Sequence, residues 1–270
     1  MFAFLHAIKE TAKRIAEAVF LDRVFLTQRS DPDRVRRLIR KLHAHEPDHP
    51  LIRIGGAEDG GYLIPDDLDG IRYCISPGVS EEITFDLDMA NRDMHVIMAD
   101  ASVDGPPVEH RKFTFHKKFL GLNSDETFMR LDQLCDAVPE SQEMILQMDI
   151  EGAEYGILLD VSDNLLKRFR IIILELHGLS NAFDAFSIPI IEAFVEKLSR
   201  YHAVVHIHPN NCCGSVSRSG IEIPRVMELT FTRRDRGVSA GPVRKTYPHP
   251  LDVDNVAEHP SLNLADLWKG

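Results

Sequence analysis

The chain has 270 residues, with 42 acidic and 31 basic side chains, a formal net charge of −11, 44% hydrophobic and 27% charged residues. These are the proportions of a globular protein with a sizeable core, in one large domain or two small ones. The acidic balance argues against nucleic acid as a partner, since phosphate binding leans on a basic face, and no apolar run approaches the roughly 18–20 residues that cross a bilayer.

Met1 to Leu26 shows no small-residue cleavage site after an apolar core, so no signal peptide is read. Its apolar residues Phe4, Leu5, Ile8, Ala12, Ile15, Ala16, Val19 and Phe20 recur at helical spacing. They predict an amphipathic helix packed on the domain, on a membrane surface, or on a second copy of the chain as a homodimer. The first 50 residues read as helical and end in His43-Ala-His-Glu-Pro-Asp-His49-Pro50. That stretch reads as a solvated, proline-broken linker, because no carboxylate or cysteine frame completes a metal site.

From residue 51 apolar runs alternate with helical or loop segments. Strands are predicted at 62–64, 70–75, 94–98, 113–115, 144–148, 171–176, 203–207 and 226–232, and helices at 84–91, 125–137, 153–168 and 188–201. Such alternation implies right-handed crossovers and a mostly parallel sheet with helices on both faces. The last two strands are joined by residues 209–224 without a helix, so the final strand is expected to insert antiparallel. The predicted organisation is a helical extension over 1–50, a doubly wound α/β domain over 51–236, and a C-terminal extension over 237–270 packed on the domain or a partner. Cys74, Cys135, Cys212 and Cys213 make no disulfide framework, and a reduced, cytoplasmic protein is the default.

The candidate chemistry gathers at strand ends, where ligands collect in open α/β sheets. Met144 to Met148 and Arg170 to Leu176 are apolar runs of the kind buried on both sheet faces. The first ends in Asp149 and Glu151, the second in Glu175 and His177. Ser76-Pro-Gly-Val is a strand-to-helix turn in which Gly78 lets a ligand approach the backbone. Asp100 follows the next strand, where an acid accepts from ribose hydroxyls. Arg53 to Tyr62 holds four glycines, including Gly60 and Gly61, as a plain hairpin or a pocket-lining loop. His206 and His208 share a face, and His208, nearer the rim, is the better functional candidate.

Two stretches, Met148-Asp-Ile-Glu-Gly-Ala-Glu154 and Ile172-Ile-Leu-Glu-Leu-His177, resemble the FkbM-type branch of class I S-adenosylmethionine-dependent methyltransferases. Leu131-Asp-Gln-Leu-Cys135, Asp59-Gly-Gly-Tyr62 and His208-Pro-Asn-Asn211 extend the resemblance across residues 53–232. It implies a Rossmann-like seven-stranded fold with an antiparallel last strand and S-adenosylmethionine over the first two main strands. Gly78 then takes the place of a motif glycine and Asp100 that of the ribose acid, with Arg53, Gly60, Gly61 and Ser76 around the cofactor. The sequence departs from richer versions at Ser76-Pro77 and Glu81-Glu82, which carry an acid and further glycines there.

A sugar hydroxyl needs a base or a cation to lose its proton near neutral pH. Asp149, Glu175 and His177 are expected to hold Mn²⁺ or Mg²⁺, with Asp149, His177 and His208 as the catalytic set. Glu151 is left as a further ligand or a helix cap. The expected activity is O-methylation of a sugar or similar polyhydroxylated small molecule. A metal-dependent hydrolase and a non-catalytic nucleotide-binding module are the alternatives.

Overall fold

Runs apolar on both sides are satisfied only between two covering layers, and two such runs form the centre of the sheet. The computed structural model describes residues 27–57 and 59–270, so the helix predicted within residues 1–26 lies outside the described residues. Helix α1 (Pro32–Lys41) precedes a hairpin of β1 (Leu51–Ile54) and β2 (Tyr62–Pro65). Then come β3 (Tyr73–Pro77), α2 (Thr84–Asn91), β4 (His95–Ala99) and β5 (Phe113–His116). A short pair, β6 (Phe119–Leu120) and β7 (Phe128–Met129), leads to α3 (Leu131–Leu134) and β8 (Met144–Met148). The chain continues through α4 (Glu154–Asp160), α5 (Asp163–Leu166), β9 (Phe169–His177), α6 (Ile188–Ser199) and β10 (His202–Pro209). It closes the sheet with β13 (Val226–Arg233), after a hairpin of β11 (Ser215–Arg218) and β12 (Ile221–Pro224).

The seven-stranded sheet has the order β10-β13-β9-β8-β3-β4-β5. The pairs β9–β8, β8–β3, β3–β4 and β4–β5 are parallel, whereas β13 runs antiparallel to both β9 and β10. The expected architecture, a mixed α/β fold with one inserted antiparallel strand, is the observed one. Alternate residues feed two cores. Leu146, Leu174 and Leu176 join residues of α1, α4 and α6 on one face. Ile145, Ile171 and Ile173 meet Ile54, Tyr62 and Ile64 of the β1–β2 hairpin on the other.

Several boundaries differ from expectation for local reasons. The helix predicted over 125–137 shrinks to α3, because Asp125 Oδ1 accepts from the backbone N–H groups of Thr127 and Phe128, at 2.7 Å each, and turns the chain. The helix predicted over 153–168 is two helices. Ser162 restarts it, its Oγ accepting from Leu165 N at 3.2 Å. The β11–β12 hairpin was not expected in the 209–224 loop. It alternates buried Ile221 and Ile223 with exposed Glu222. In the turn after β10 the sulfurs of the adjacent Cys212 and Cys213 pair with each other, a contact the sequence did not suggest; Cys74 and Cys135 are buried and free.

The connector at 43–50 is docked rather than solvated. His43 Nε2 lies 2.8 Å from Leu267 O and His45 Nδ1 lies 2.9 Å from Ser239 O. The C-terminal residues Tyr247, Leu264 and Trp268 enter the same core as Val35 and Leu38 of α1. Among the described residues, no helix is long and apolar enough to cross a membrane.

Candidate active site

The turn after β3 is shaped by the strand beside it. Gly78 has φ +89°, and a Cβ there would overlap the Asp149 carbonyl oxygen, so only glycine fits. Asp100, just past β4, pins the same turn. Its Oδ2 accepts from Val79 N at 3.0 Å, and its Oδ1 accepts from Ser102 N and Oγ at 2.6 Å each. Next to these strand tips lies a cavity of about 650 Å³, lined by Gly60, Tyr62, Gly78, Asp100, Gln147 and Asp149 among others. That volume suits a cofactor-sized ligand.

Of the six residues expected around a cofactor, Gly60, Gly78 and Asp100 line this cavity, whereas Arg53, Gly61 and Ser76 do not. Ser76 is buried beneath it and donates from Oγ to Gln147 Oε1 at 2.8 Å. Arg53 donates from Nε to Gly56 O at 2.8 Å, within the electrostatic reach of Glu228 and Asp252. Its guanidinium is thereby turned to the hairpin and the sheet behind it.

At the edge of the cavity β8 and β9 bring together Asp149 and His177. His177 Nδ1 lies 3.9 Å from Asp149 Oδ1, and Nε2 lies 3.4 Å from Glu151 Oε2. Ligand atoms of Asp149, Glu151 and His177 all fall within 4.8 Å of one another, close enough to share one cation. Glu151 reaches this position through a left-handed backbone, φ +57°, which is costly for a residue with a side chain. Asp149 Oδ1 is buried with no hydrogen-bond partner, which fits a missing positive ligand.

Two expectations change here. Glu175 is not one of the three; its Oε1 accepts from Asn210 Nδ2 at 2.9 Å, and Glu151 takes its place. His208 stands apart from the trio as well. The inserted β13 pairs His208 with Glu228 and Glu228 with Glu175, so His208 is two strands from β9, about 10 Å away. The helix cap left open for Glu151 is not formed, since α4 has Ala153 at its N-cap and no side-chain cap; Glu154 Oε1 instead accepts from the loop N–H groups of Ile150 at 3.1 Å and Gly152 at 3.2 Å.

Charges in this row are strongly perturbed. Burial, opposed by His177 and aided by the neighbouring acids, pushes Asp149 up to about 6. Burial together with Asp149, Glu228 and Asp59 pushes Glu175 to about 10. Glu228 is raised to about 7 by burial, with His208 and Asn255 working against the rise. His177 is raised mainly by its hydrogen bond to Glu154. Burial would lower His208, but Asp252, 3.5 Å from its Nδ1, and the nearby acids raise it. Clusters of this kind mark functional sites more often than packing alone requires.

Residues 109–201 match the methyltransferase FkbM domain model. This is the family that the Met148–Glu154 and Ile172–His177 motifs resemble. The FkbM-type match runs from before β5 to the end of α6, so it contains Asp149, Glu151, Glu154, Glu175 and His177. The Gly78 turn and Asp100 lie upstream of it. The match supports a methyltransferase. No curated protein matches the chain.

Three residues at this site were not singled out from the sequence. Glu154 is fully buried and lies 3.3 Å from His177 Nδ1, where it orients the imidazole. The third acid of Asp149-Ile-Glu-Gly-Ala-Glu154 was its only signal. Asp252, from the C-terminal segment, lies 2.8 Å from His206 and 3.5 Å from His208. Asn255 donates to Glu228 Oε1 at 2.6 Å and to Asp59 Oδ1 at 2.9 Å. No periodic pattern marks either of these two.

Proposed function

We propose that this protein is an S-adenosylmethionine-dependent O-methyltransferase acting on a hydroxyl of a sugar or similar polyhydroxylated small molecule. The observation that carries this reading is the Asp149, Glu151 and His177 trio standing at the mouth of the Gly78–Asp100 cavity, within the FkbM-type match. The same cavity wall joins both halves of the reaction, since Asp149 belongs to the trio and lines the cavity. Two oxygen ligands and one imidazole suit a hard cation such as Mn²⁺ or Mg²⁺ better than zinc.

When bound, the two groups supply an electrophilic methyl carbon and a Lewis acid. The chain's own residues do the rest by positioning. Asp100 and Gly78 hold the turn that faces the nucleoside, Asp100 by accepting from Val79 and Ser102 at the ribose edge. Glu154 accepts the Nδ1 proton of His177, which leaves the Nε2 lone pair directed at the cation position beside Glu151. Asp149 can accept the proton of a hydroxyl held at the trio through the carboxylate oxygen that the cation leaves free. The buried floor of Gln147 and Tyr62 keeps bulk water from that face.

Radiolabelled methyl transfer to a panel of sugars and nucleotide sugars tests this directly. Transfer that needs Mn²⁺ or Mg²⁺ and collapses in Asp149→Ala is the expected result. Turnover of an ester or phosphoester without the methyl donor would replace the reading with a metal-dependent hydrolase. Full methylation by Asp149→Ala would remove the trio from the mechanism.

A further inference from the structure

A second cavity, of about 330 Å³, opens at the same end of the sheet. It lies between the segment leading into α1, the short helical turn Leu179–Phe183 that follows β9, and the β11–β12 hairpin. Its size falls at the small end of the range for ligand pockets. Three arginines line it: Arg29 before α1, Arg218 at the end of β11, and Arg225 just before β13.

The chain holds 42 acidic against 31 basic residues, so counter-charges are plentiful. None is supplied here. Among the described residues, Arg29, Arg218 and Arg225 form no ion pair, and Arg218 donates only to the neighbouring Ser217 carbonyl, at 2.8 Å. The one acid among the described lining residues, Asp184, is engaged in its own turn. Its Oδ1 accepts from Phe186 N at 2.7 Å, Ser187 N at 2.8 Å and Ser187 Oγ at 3.2 Å. Ser30, on the same wall, has its Oγ buried with no hydrogen-bond partner, and buried polar atoms are nearly always satisfied.

Like charges gathered without a counter-charge repel, and an anionic ligand removes that cost. A guanidinium only donates, in a planar fork that meets phosphate oxygens in pairs. Three such forks from three separate segments suit two linked phosphates better than one carboxylate.

The place of this cavity on the rim gives the anion a use. Along the order β13-β9-β8-β3-β4, the donor cavity takes the tips of β8, β3 and β4, and the trio takes those of β8 and β9. The arginine cavity comes next, at β9 and β13. Val226 pairs with His177, so the Arg225 Cα lies within about 9 Å of the His177 Cα. One sugar with its phosphates bridges such a distance. We propose that this cavity binds the diphosphate of the acceptor, so that the hydroxyl presented to the trio belongs to a sugar carried on a diphosphate ester. The acceptor half of this inference rests on the methyltransferase reading; the anion site rests on the arginines alone. A nucleoside and a polyprenol are the two carriers that share this chemistry.

Calorimetry on the full chain with inorganic pyrophosphate, uridine diphosphate and farnesyl diphosphate tests the site. The parent should bind all three, and the Arg218→Gln/Arg225→Gln double variant should weaken each by about ten-fold or more, as expected for losing charge-assisted bonds to phosphate. An unchanged thermal midpoint shows that the variant is folded. Whichever of the two esters binds more tightly than pyrophosphate identifies the carrier. In the methyl-transfer assay, pyrophosphate should compete with a methylated diphosphate sugar and not with S-adenosylmethionine. No binding of pyrophosphate to the parent, or equal affinity in the double variant, overturns the site. Competition against S-adenosylmethionine alone overturns its assignment to the acceptor. Pyrophosphate binding that the double variant loses, with no methyl transfer to any sugar, overturns the methyltransferase reading and keeps the anion site.

Discussion

Glu154 is buried completely, yet it sits one helical turn from the exposed Glu151, and the difference decides their roles. Through Oε1 it satisfies two loop N–H groups and holds His177 in one tautomer. Loss of such an orienting partner typically costs about 10–100-fold in metal affinity. Glu154→Gln is therefore expected to weaken Mn²⁺ binding by about that factor in an equilibrium titration, with the fold retained, and unchanged affinity would contradict the assignment. Glu228 makes a different prediction. Its folded value is about 7 against an ordinary 4.5, so the folded protein binds more protons than the unfolded chain in that window. Stability from this group thus falls as pH rises past 4.5 and levels off near 7. Glu228→Gln removes the ionising proton, and denaturant titrations should find it more stable than the parent by about 2–3 kcal/mol at pH 8 and nearly equal at pH 4.5. The acids that end β8 and β9 were legible because apolar runs stop abruptly at them. Glu154 was not, because a carboxylate on the buried face of a helix leaves no periodic trace.

At the scale of elements, the pattern of apolar runs was enough to place all seven strands of the main sheet and to foresee that the last inserts antiparallel. That same insertion sets His208 two strands away from His177. Adjacency in sequence order suggested a shared rim, but β13 intervenes between β10 and β9. Helices were less legible where polar side chains bond the local backbone, as Asp125 and Ser162 do. The far end of the sheet is tied by charge. Arg170, 7% exposed in its side chain, bonds Asp67 Oδ1 at 3.2 Å and Glu143 Oε2 at 2.8 Å, while Arg236 and Arg233 reach the same two acids. Removing one partner of a buried network leaves charges uncompensated. Arg170→Met should cost about 3–5 kcal/mol in a urea titration, and a loss well under about 1 kcal/mol would show that the remaining arginines suffice.

Over the whole molecule, the segment after Arg236 belongs to the architecture of the site. It runs from Asp252 and Asn255, against β10 and β13, to Trp268, which is 1% exposed and donates from Nε1 to Glu222 O at 3.0 Å. A packed extension over 237–270 was expected, but which residues it brings was not readable, since contacts made one residue at a time over long separations have no repeat to detect. Trp268→Ala is expected to destabilise the protein by about 3–5 kcal/mol, measured by thermal or denaturant unfolding. A neutral result would mean that this end of the chain merely rests on the core. On the proposed function, one crevice bounded by the β3, β4 and β8 tips holds both the methyl donor and a cation. A crystal structure with S-adenosylhomocysteine and Mn²⁺ measures that most directly. The account predicts the nucleoside against Gly78 and Asp100, and an anomalous manganese peak between Asp149, Glu151 and His177. Ligand density outside that crevice, or manganese held by other side chains, would contradict it.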